Sequence, residues 1–180
     1  MKEKRPFAIF GTSIKGRGGT TFKFEDIFSV IRKVENELGV KVQLLNPEEI
    51  FGVLHLHIAF EKAKENFYKK INVAEDFTLE MLRVASGERQ IKDALKKLGI
   101  KEKDRKFLIF IYCENKNLEA GDRESLFKSA KEIIFEELAL QEEPEILPTA
   151  FLKKHAEEIK RKGLENLKKE IIEKMSVIDL

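Results

Sequence analysis

The chain has 180 residues, of which 42% are apolar and 37% are charged, and its net charge is only +2. This length and composition predict one globular domain, residues 1–180, with a sizeable core, and the near balance of charges gives no chain-wide attraction for nucleic acid. The single cysteine excludes an internal disulfide, and no apolar run is long enough for a secretory signal or a membrane span. We therefore expect a cytoplasmic protein that does not enter a membrane.

The apolar pattern predicts strands separated by helices, and most of the helices follow one another directly. The predicted strands are Phe7–Thr12, Val40–Leu45 and Lys106–Tyr112. The predicted helices are Phe24–Leu38, Val53–Lys70, Ala74–Ala85, Ser86–Gly99, Arg123–Leu140, Ala150–Lys162 and Leu164–Val177, with an extended break at Glu142–Thr149. The last strand is almost continuously apolar, which is typical of a central strand covered on both faces. The order predicts an α+β fold: a small central sheet of about three or four strands packed with several helices.

A glycine-rich segment, Gly11–Thr20, follows the first strand and precedes a helix, as a phosphate-binding loop does. That motif requires Lys and then Ser or Thr after its second glycine, and here Arg17 and Gly18 hold these places. A flexible turn is therefore favoured over a nucleotide site. A small nucleotide-binding enzyme that uses this loop stays open as an alternative.

The histidines and the cysteine form no recognisable catalytic or metal-binding pattern. His55 and His57 are two residues apart, a spacing that places them on different faces of a helix. No nucleophile, base and orienting group stand at a known spacing. The sequence thus predicts no enzyme activity, no metal and no cofactor.

The most informative segment is the predicted helix Ser86–Gly99. Ser86 is a capping residue, Gly87 lets another backbone approach closely, and Arg89 is expected in the first turn. Free amide groups and a guanidinium at a helix N-terminus form an anion site suited to phosphate. Residues 83–106 carry nine Lys or Arg against four Asp or Glu, a local charge of +5, whereas residues 132–152 carry six Glu and no base. An ordinary capped surface helix is the alternative interpretation.

Several stretches along nearly the whole chain carry a resemblance to a known family. They are Val42–Asn46, Leu54–Ala63, Asn72–Ala74, Leu79–Leu82, Ala85–Ile91, Ala94–Ile100 and Ile171–Ser176, of which the Gly-x-Arg-Gln-Ile core at Gly87–Ile91 is the most specific. With these motifs the chain resembles the small regulatory subunit of the KEOPS complex, the PRPK-binding protein (TPRKB) family, and its archaeal members in particular. One departure is Ile58, where archaeal relatives often have a second histidine.

The resemblance implies a role in tRNA modification. The KEOPS complex transfers a threonylcarbamoyl group to the adenosine next to the anticodon, and its ATPase-fold subunit performs that chemistry. The family member is not an enzyme. It binds the N-terminal lobe of the atypical kinase subunit directly, contacts the other KEOPS subunits indirectly, and helps to recruit tRNA through the 3′ CCA end.

Two sets of candidate residues follow. The candidate RNA-binding residues are Arg83, Ser86, Gly87, Arg89, Gln90, Lys92 and Lys96, which supply cations, amides and close approach for a single-stranded end. The candidate partner-binding residues form the apolar stripe and tail of the last helix, and they are Leu167, Ile171, Met175, Ile178 and Leu180. The stripe fits a part of the core better than a surface given wholly to a partner, and the tail fits a hydrophobic anchor. A stand-alone RNA-binding module remains the main alternative to a complex subunit.

Overall fold

The computed structural model describes residues 6–15, 23–115 and 117–179. Within these ranges the chain forms four strands and eight α-helices, together with a short 3-10 helix at Pro47–Glu49. The strands are β1 Phe7–Ile14, β2 Val40–Leu45, β3 Lys106–Cys113 and β4 Leu140–Glu142. The helices are α1 Phe24–Leu38, α2 Val53–Lys69, α3 Phe77–Ser86, α4 Ile91–Leu98, α5 Ala120–Glu137, α6 Ile146–Lys154, α7 Ala156–Lys162 and α8 Leu164–Ser176. The predicted α+β class is confirmed.

The contacts along the chain divide it into two compact units, each made of two segments. Unit 1 contains Met1–Leu44 and Lys101–Pro144, and unit 2 contains Leu45–Ile100 and Glu145–Leu180. The expectation of a single domain over residues 1–180 stays a prediction. No helix in the described ranges has both the length and the apolar character that a membrane crossing requires.

Unit 1 is built on a sheet with the strand order β2-β3-β1-β4. β1 and β3 pair antiparallel, with Phe7 opposite Tyr112 and Ser13 opposite Lys106, and β4 pairs antiparallel with the end of β1. β3 lies between two neighbours, and its residues 107–111 are all buried, so the predicted central strand is confirmed. The hydroxyl of the buried Thr12 donates to the carbonyl oxygen of Phe107 at 3.1 Å, which satisfies a polar side chain inside the sheet.

Unit 2 is helical, and α3 is its most buried helix. Nine of the ten α3 residues are buried, so α3 is covered on nearly every side. Asp76 caps its N-terminus, because the carboxylate accepts from the amides of Thr78 at 2.8 Å and Leu79 at 3.1 Å. Phe51, Phe151 and Leu167 form an apolar cluster in unit 2.

Several predicted boundaries differ from the structure. β1 continues through Ile14, so the first residues of the glycine-rich segment belong to a strand, and residues 16–20 lie outside the described ranges. The predicted helix Ala150–Lys162 is two helices that meet at His155. The predicted break at Glu142–Thr149 overlaps the start of α6, but Leu147 inside that start is extended (φ −110°, ψ 116°). Uninterrupted helix therefore begins only at Pro148, where a proline removes no needed hydrogen bond. β4 was missed because three residues are too few for an alternating pattern.

Candidate nucleic-acid interface and partner surface

The segment predicted as one helix from Ser86 is a turn between two helices. α3 ends at Ser86, and Gly87 follows in the left-handed conformation with φ 67°, donating its amide to the carbonyl oxygen of Val84. α4 begins only at Ile91, after the extended residue Gln90. The prediction that Ser86 and Gly87 open a helix is therefore wrong. A Ser-Gly pair fits a helix end as well as a helix start, because glycine is the residue preferred just past a C-terminus.

Two predicted RNA-binding side chains point into the protein. The Ser86 hydroxyl donates to the carbonyl oxygen of Arg83 at 2.7 Å and accepts from the amide of Glu88 at 3.0 Å. The Arg83 guanidinium is 1% exposed and donates to the carboxylates of Glu80 and Asp179. The Arg83 guanidinium cannot contact RNA from this position, so Arg83 leaves the candidate site, whereas Ser86 stays only as a residue of a cavity wall. The sequence could not distinguish Arg83 from a surface arginine, because an arginine is buried only when partners pair with it in the folded chain.

The remaining predicted residues lie together on the surface. We call them the basic turn: Gly87, Arg89, Gln90, Lys92 and Lys96. All except the half-buried Gly87 are exposed. Lys96 lies 3.5 Å from Asp93, whereas neither Arg89 nor Lys92 forms an ion pair within the described ranges.

The backbone of the basic turn also offers donors. The Gln90 side chain does not cap α4, and the amides of Ile91 and Lys92 find no acceptor in the part of the chain that the structure describes. The first amides of a helix carry a partial positive charge that adds to that of nearby cations. The basic turn therefore presents two unpaired side-chain cations beside free N–H groups.

Two lysines beside the basic turn were missed. The Lys97 ammonium donates to the carbonyl oxygen of Ser86 at 2.6 Å and lies 3.4 Å from a Glu88 carboxylate oxygen. Lys174 of α8 lies 3.8 Å from the same oxygen. Lys174 also packs on Gly87, since a Cβ on this glycine would lie 3.3 Å from the Lys174 Cβ. Lys174 is far from the turn along the chain, so no local pattern signals its position.

A cavity of about 340 Å³ opens in unit 2 behind the basic turn, with Ser86, Lys97 and Lys174 in its wall. The histidines of its wall differ in environment. His55 is 1% exposed, and its Nε2 donates to the carbonyl oxygen of Ala85 at 2.8 Å. Burial, with a smaller contribution from Lys97, lowers the pKa of His55 to about 4, so the ring is neutral near pH 7.

The other histidine of the cavity wall, His155, packs against Phe151 with ring centroids 4.5 Å apart and ring planes tilted by 32°. Its Nδ1 lies 3.4 Å from Glu158. Its Nε2 is buried, lies 3.9 Å from Glu49 and has no hydrogen-bond partner among the described residues. A residue of the cavity wall thus carries a buried polar atom whose hydrogen-bonding capacity is not used by the described residues. No three His, Cys, Asp or Glu side chains group as metal ligands in the described ranges.

The predicted partner-binding stripe of α8 lies mostly in the core. Leu167, Met175 and Ile178 are buried, Ile171 is half-buried, and Leu180 lies outside the described ranges. This burial agrees with the interpretation of the stripe as partly core, and it conflicts with the prediction that Leu167, Met175 and Ile178 bind a partner. A stripe at helical spacing marks the face that packs, and sequence does not reveal whether its own chain or a partner covers it.

A different apolar surface of unit 2 is open to solvent. Leu54 at the start of α2 is 59% exposed. Together with Phe51 and Ile172 it lines a groove of about 500 Å³, and we call this surface the apolar groove. Its rim carries charges of both signs from α8, at Glu165, Lys168, Lys169 and Glu173.

Comparison with known proteins agrees with this arrangement of motifs. The family model described as kinase binding protein CGI-121 matches residues 25–178. The chain is also similar to the regulatory protein Cgi121 of Methanocaldococcus jannaschii, with 30% identity over 156 residues that cover 82% of this chain and 92% of the relative. The match extends over both units and includes the basic turn and the apolar groove. The chain therefore belongs to the CGI-121 family of kinase-binding regulatory proteins.

Proposed function

We propose that this protein is a non-catalytic, cytoplasmic subunit of the KEOPS complex that binds the N-terminal lobe of the kinase subunit and helps to recruit tRNA through its 3′ CCA end. Family membership supports the regulatory and kinase-binding part of the proposal. In this role the other KEOPS subunits are reached through the kinase subunit. The threonylcarbamoyl transfer takes place on a neighbouring subunit.

The observation that carries the RNA-binding part is a pair of exposed cations, Arg89 and Lys92, beside helix amides, all of them without a partner among the described residues. Phosphates of a single strand are bound by exactly this combination of guanidinium, ammonium and backbone donors. Gln90 is exposed between them and carries an amide that can donate to and accept from a base edge. The basic turn thus has donors for the phosphates and an amide for a base edge, but it has no aromatic side chain on which a base could stack.

The cavity behind the basic turn gives an unstacked base a place to enter. Its volume of about 340 Å³ lies in the range of small-molecule sites. The buried Nε2 of His155 provides a hydrogen-bonding atom without a partner in the described ranges. Single-stranded RNA ends are recognised through bases that leave the stack and enter such pockets. We therefore place the phosphates on the basic turn and the terminal base in the cavity.

The test of the RNA site is the charge reversal Arg89→Glu, measured by gel shift with intact tRNA and with the same tRNA lacking its CCA end. Arg161→Glu is the matched control, because Arg161 in α7 is also exposed and has no ion pair among the described residues. We expect R89E to weaken binding of intact tRNA at least about fivefold at low salt, and R161E to leave it unchanged. Equal binding by R89E and wild type rejects the basic turn as the RNA site. Equal binding of the two tRNAs rejects the CCA end as the part of the tRNA that is recognised.

The partner-binding part of the proposal uses the apolar groove. Leu54 is exposed and stands in the first turn of α2, where an aspartate is favourable to the helix. Leu54→Asp should therefore keep the fold and abolish co-purification with the kinase subunit. Val73→Asp is the control, because Val73 is 55% exposed and lies outside the groove. Retained co-purification of L54D, or equal loss with V73D, rejects the groove as the docking surface.

A further inference from the structure

A buried ion-pair network in unit 2 ties the C-terminal tail to α3. The Glu80 carboxylate accepts from Arg83 Nε at 3.0 Å and Nη2 at 2.6 Å, and from Asn66 Nδ2 at 2.8 Å. The amides of Val73 and Ala74 add two more donors to it, at 3.2 and 3.1 Å. Glu80 and Arg83 therefore hold each other in place without any help from the tail.

Asp179 approaches this pair from the tail that follows α8. Its Oδ1 accepts from Arg83 Nη2 at 2.6 Å. Its Oδ2 is buried, and no described residue donates a hydrogen bond to it. The Lys62 ammonium lies 3.8 Å from Oδ2 and 3.7 Å from Glu65. Asp179 is thus held by one strong hydrogen bond and one looser ion pair.

Removing this carboxylate leaves both cations with fewer partners. Arg83 keeps its bonds to Glu80 and Lys62 keeps Glu65 at 3.7 Å, but Arg83 Nη2 loses its 2.6 Å hydrogen bond to Asp179. Arg83 is 1% exposed, and a buried donor without an acceptor is unfavourable. A guanidinium that Glu80 already orients is a good receptor for a carboxylate.

We propose that Arg83 and Lys62 form a carboxylate-binding site, which the chain fills with its own Asp179 and which accepts a carboxylate from another molecule when Asp179 is absent from it. The chemical class of the ligand is a carboxylate, presented by an acidic side chain or a small acid. This inference does not depend on RNA binding or on the kinase partner.

The test is chemical rescue of the full chain. Asp179→Ala removes the carboxylate and leaves a space of its size beside Arg83. We expect its melting temperature to fall by roughly 5–10 °C, the effect of leaving a buried cation without one partner. Sodium acetate, titrated at pH 7 against chloride at constant ionic strength, should restore at least half of the loss along a saturable curve.

Two variants serve as controls. Asp104→Ala removes a half-buried carboxylate that accepts from the amide of Lys101 and has no ion pair among the described residues, so acetate should not raise its melting temperature more than that of wild type. Asp179→Asn fills the same space with a neutral amide, so it should be destabilised without responding to acetate. If D179A folds only in acetate and not in chloride, that result supports the site equally.

The proposal is overturned if D179A has the melting temperature of the wild type, or if acetate raises the melting temperatures of D179A and D104A equally. It is also overturned if D179A folds in neither salt. Adding Lys62→Ala to D179A should weaken the apparent acetate affinity severalfold, because the second cation is lost. An unchanged acetate affinity in this double variant would show that Lys62 does not take part in binding the carboxylate.

Discussion

His55 is a neutral imidazole enclosed in unit 2. Its Nε2 donates to Ala85, its Nδ1 accepts from the Phe51 amide at 3.4 Å, and its ring stacks on Phe51. Burial lowers its pKa the most, the hydrogen bond to Ala85 opposes this shift, and the nearby charges of Lys97 and Glu49 act in opposite directions. The folded-state pKa of about 4 lies below the ordinary histidine value of about 6.5.

This difference makes stability depend on pH. Between pH 6.5 and 4 the unfolded chain binds a proton at His55 that the folded chain does not bind, so the free energy of unfolding decreases as pH falls. The contribution of His55 is complete above pH 6.5. From pH 7 to pH 5 we expect it to lower the free energy of unfolding by about 2 kcal/mol.

The measurement is urea unfolding of the wild type and of His55→Gln at both pH values. Glutamine can keep both hydrogen bonds and does not titrate. H55Q should lose about 2 kcal/mol less than the wild type over this range. Identical losses in the two proteins would show that His55 is not the titrating group.

Two arginines that are close in the sequence have opposite environments in the structure. Arg83 and Arg89 are six positions apart, and both were predicted to bind RNA. The structure exposes Arg89 and buries Arg83 against Glu80 and Asp179. Arg83 could not be recognised from sequence as buried, because one of its partners lies 96 positions away. Arg89 has no such partner in the described ranges, and its exposure follows the polar character of its turn.

At the scale of elements, the ends of α1 and α3 allow a matched comparison. Gly39 and Gly87 both follow their helices with a left-handed φ, 64° and 67°. Alanine at either position is strained, at about 1 kcal/mol. Only at Gly87 does the new Cβ also meet a neighbour, the Lys174 Cβ at 3.3 Å, whereas nothing lies within 4 Å at Gly39.

We therefore expect Gly87→Ala to destabilise more than Gly39→Ala, with losses of about 2 and about 1 kcal/mol in chemical unfolding. Gly121→Ala is the control, because Gly121 lies inside α5 with an ordinary φ and open space. It should be neutral or stabilise by up to about 1 kcal/mol. If G87A and G39A are equally destabilised, the packing of α8 against the turn is looser than the structure indicates.

Sequence predicted the strongly periodic elements well. The bounds of α1 and β2 agree with the prediction, and α2 differs by one residue at its end. The central position of β3 followed from its continuous apolar run. The turn after α3 could not be assigned correctly, because Ser86-Gly87 has the local chemistry of both a helix start and a helix end, and the choice depends on the packing of Lys174 of α8.

At the scale of the whole molecule, the net charge of +2 means that the proposed RNA binding must depend on local groups. Three exposed cations of the basic turn, Arg89, Lys92 and Lys96, are the candidates for phosphate contacts. Each phosphate contact to a single strand contributes about −0.7 to the slope of log K against log salt. We expect a slope of about −2 for tRNA binding by the wild type.

The double variant Lys92→Ala, Lys96→Ala should reduce the magnitude of this slope to below about 1. The control is Lys153→Ala with Arg161→Ala, which removes two exposed cations outside the basic turn and should leave the slope unchanged. Both are measured by fluorescence anisotropy between 50 and 200 mM salt, roughly the range over which counterion release is resolved. Equal slopes for the two double variants would show that binding follows overall charge and not the basic turn.

The burial of α3 has a consequence for how this protein can change over evolutionary time. Nearly every α3 residue is committed to packing, whereas Arg89, Gln90 and Lys92 directly after it are exposed. Replacing the exposed residues hardly affects folding, so ligand preference can drift at these three positions while the helix beneath them stays constant. Protein engineers can therefore vary this short exposed segment without changing the buried helix before it.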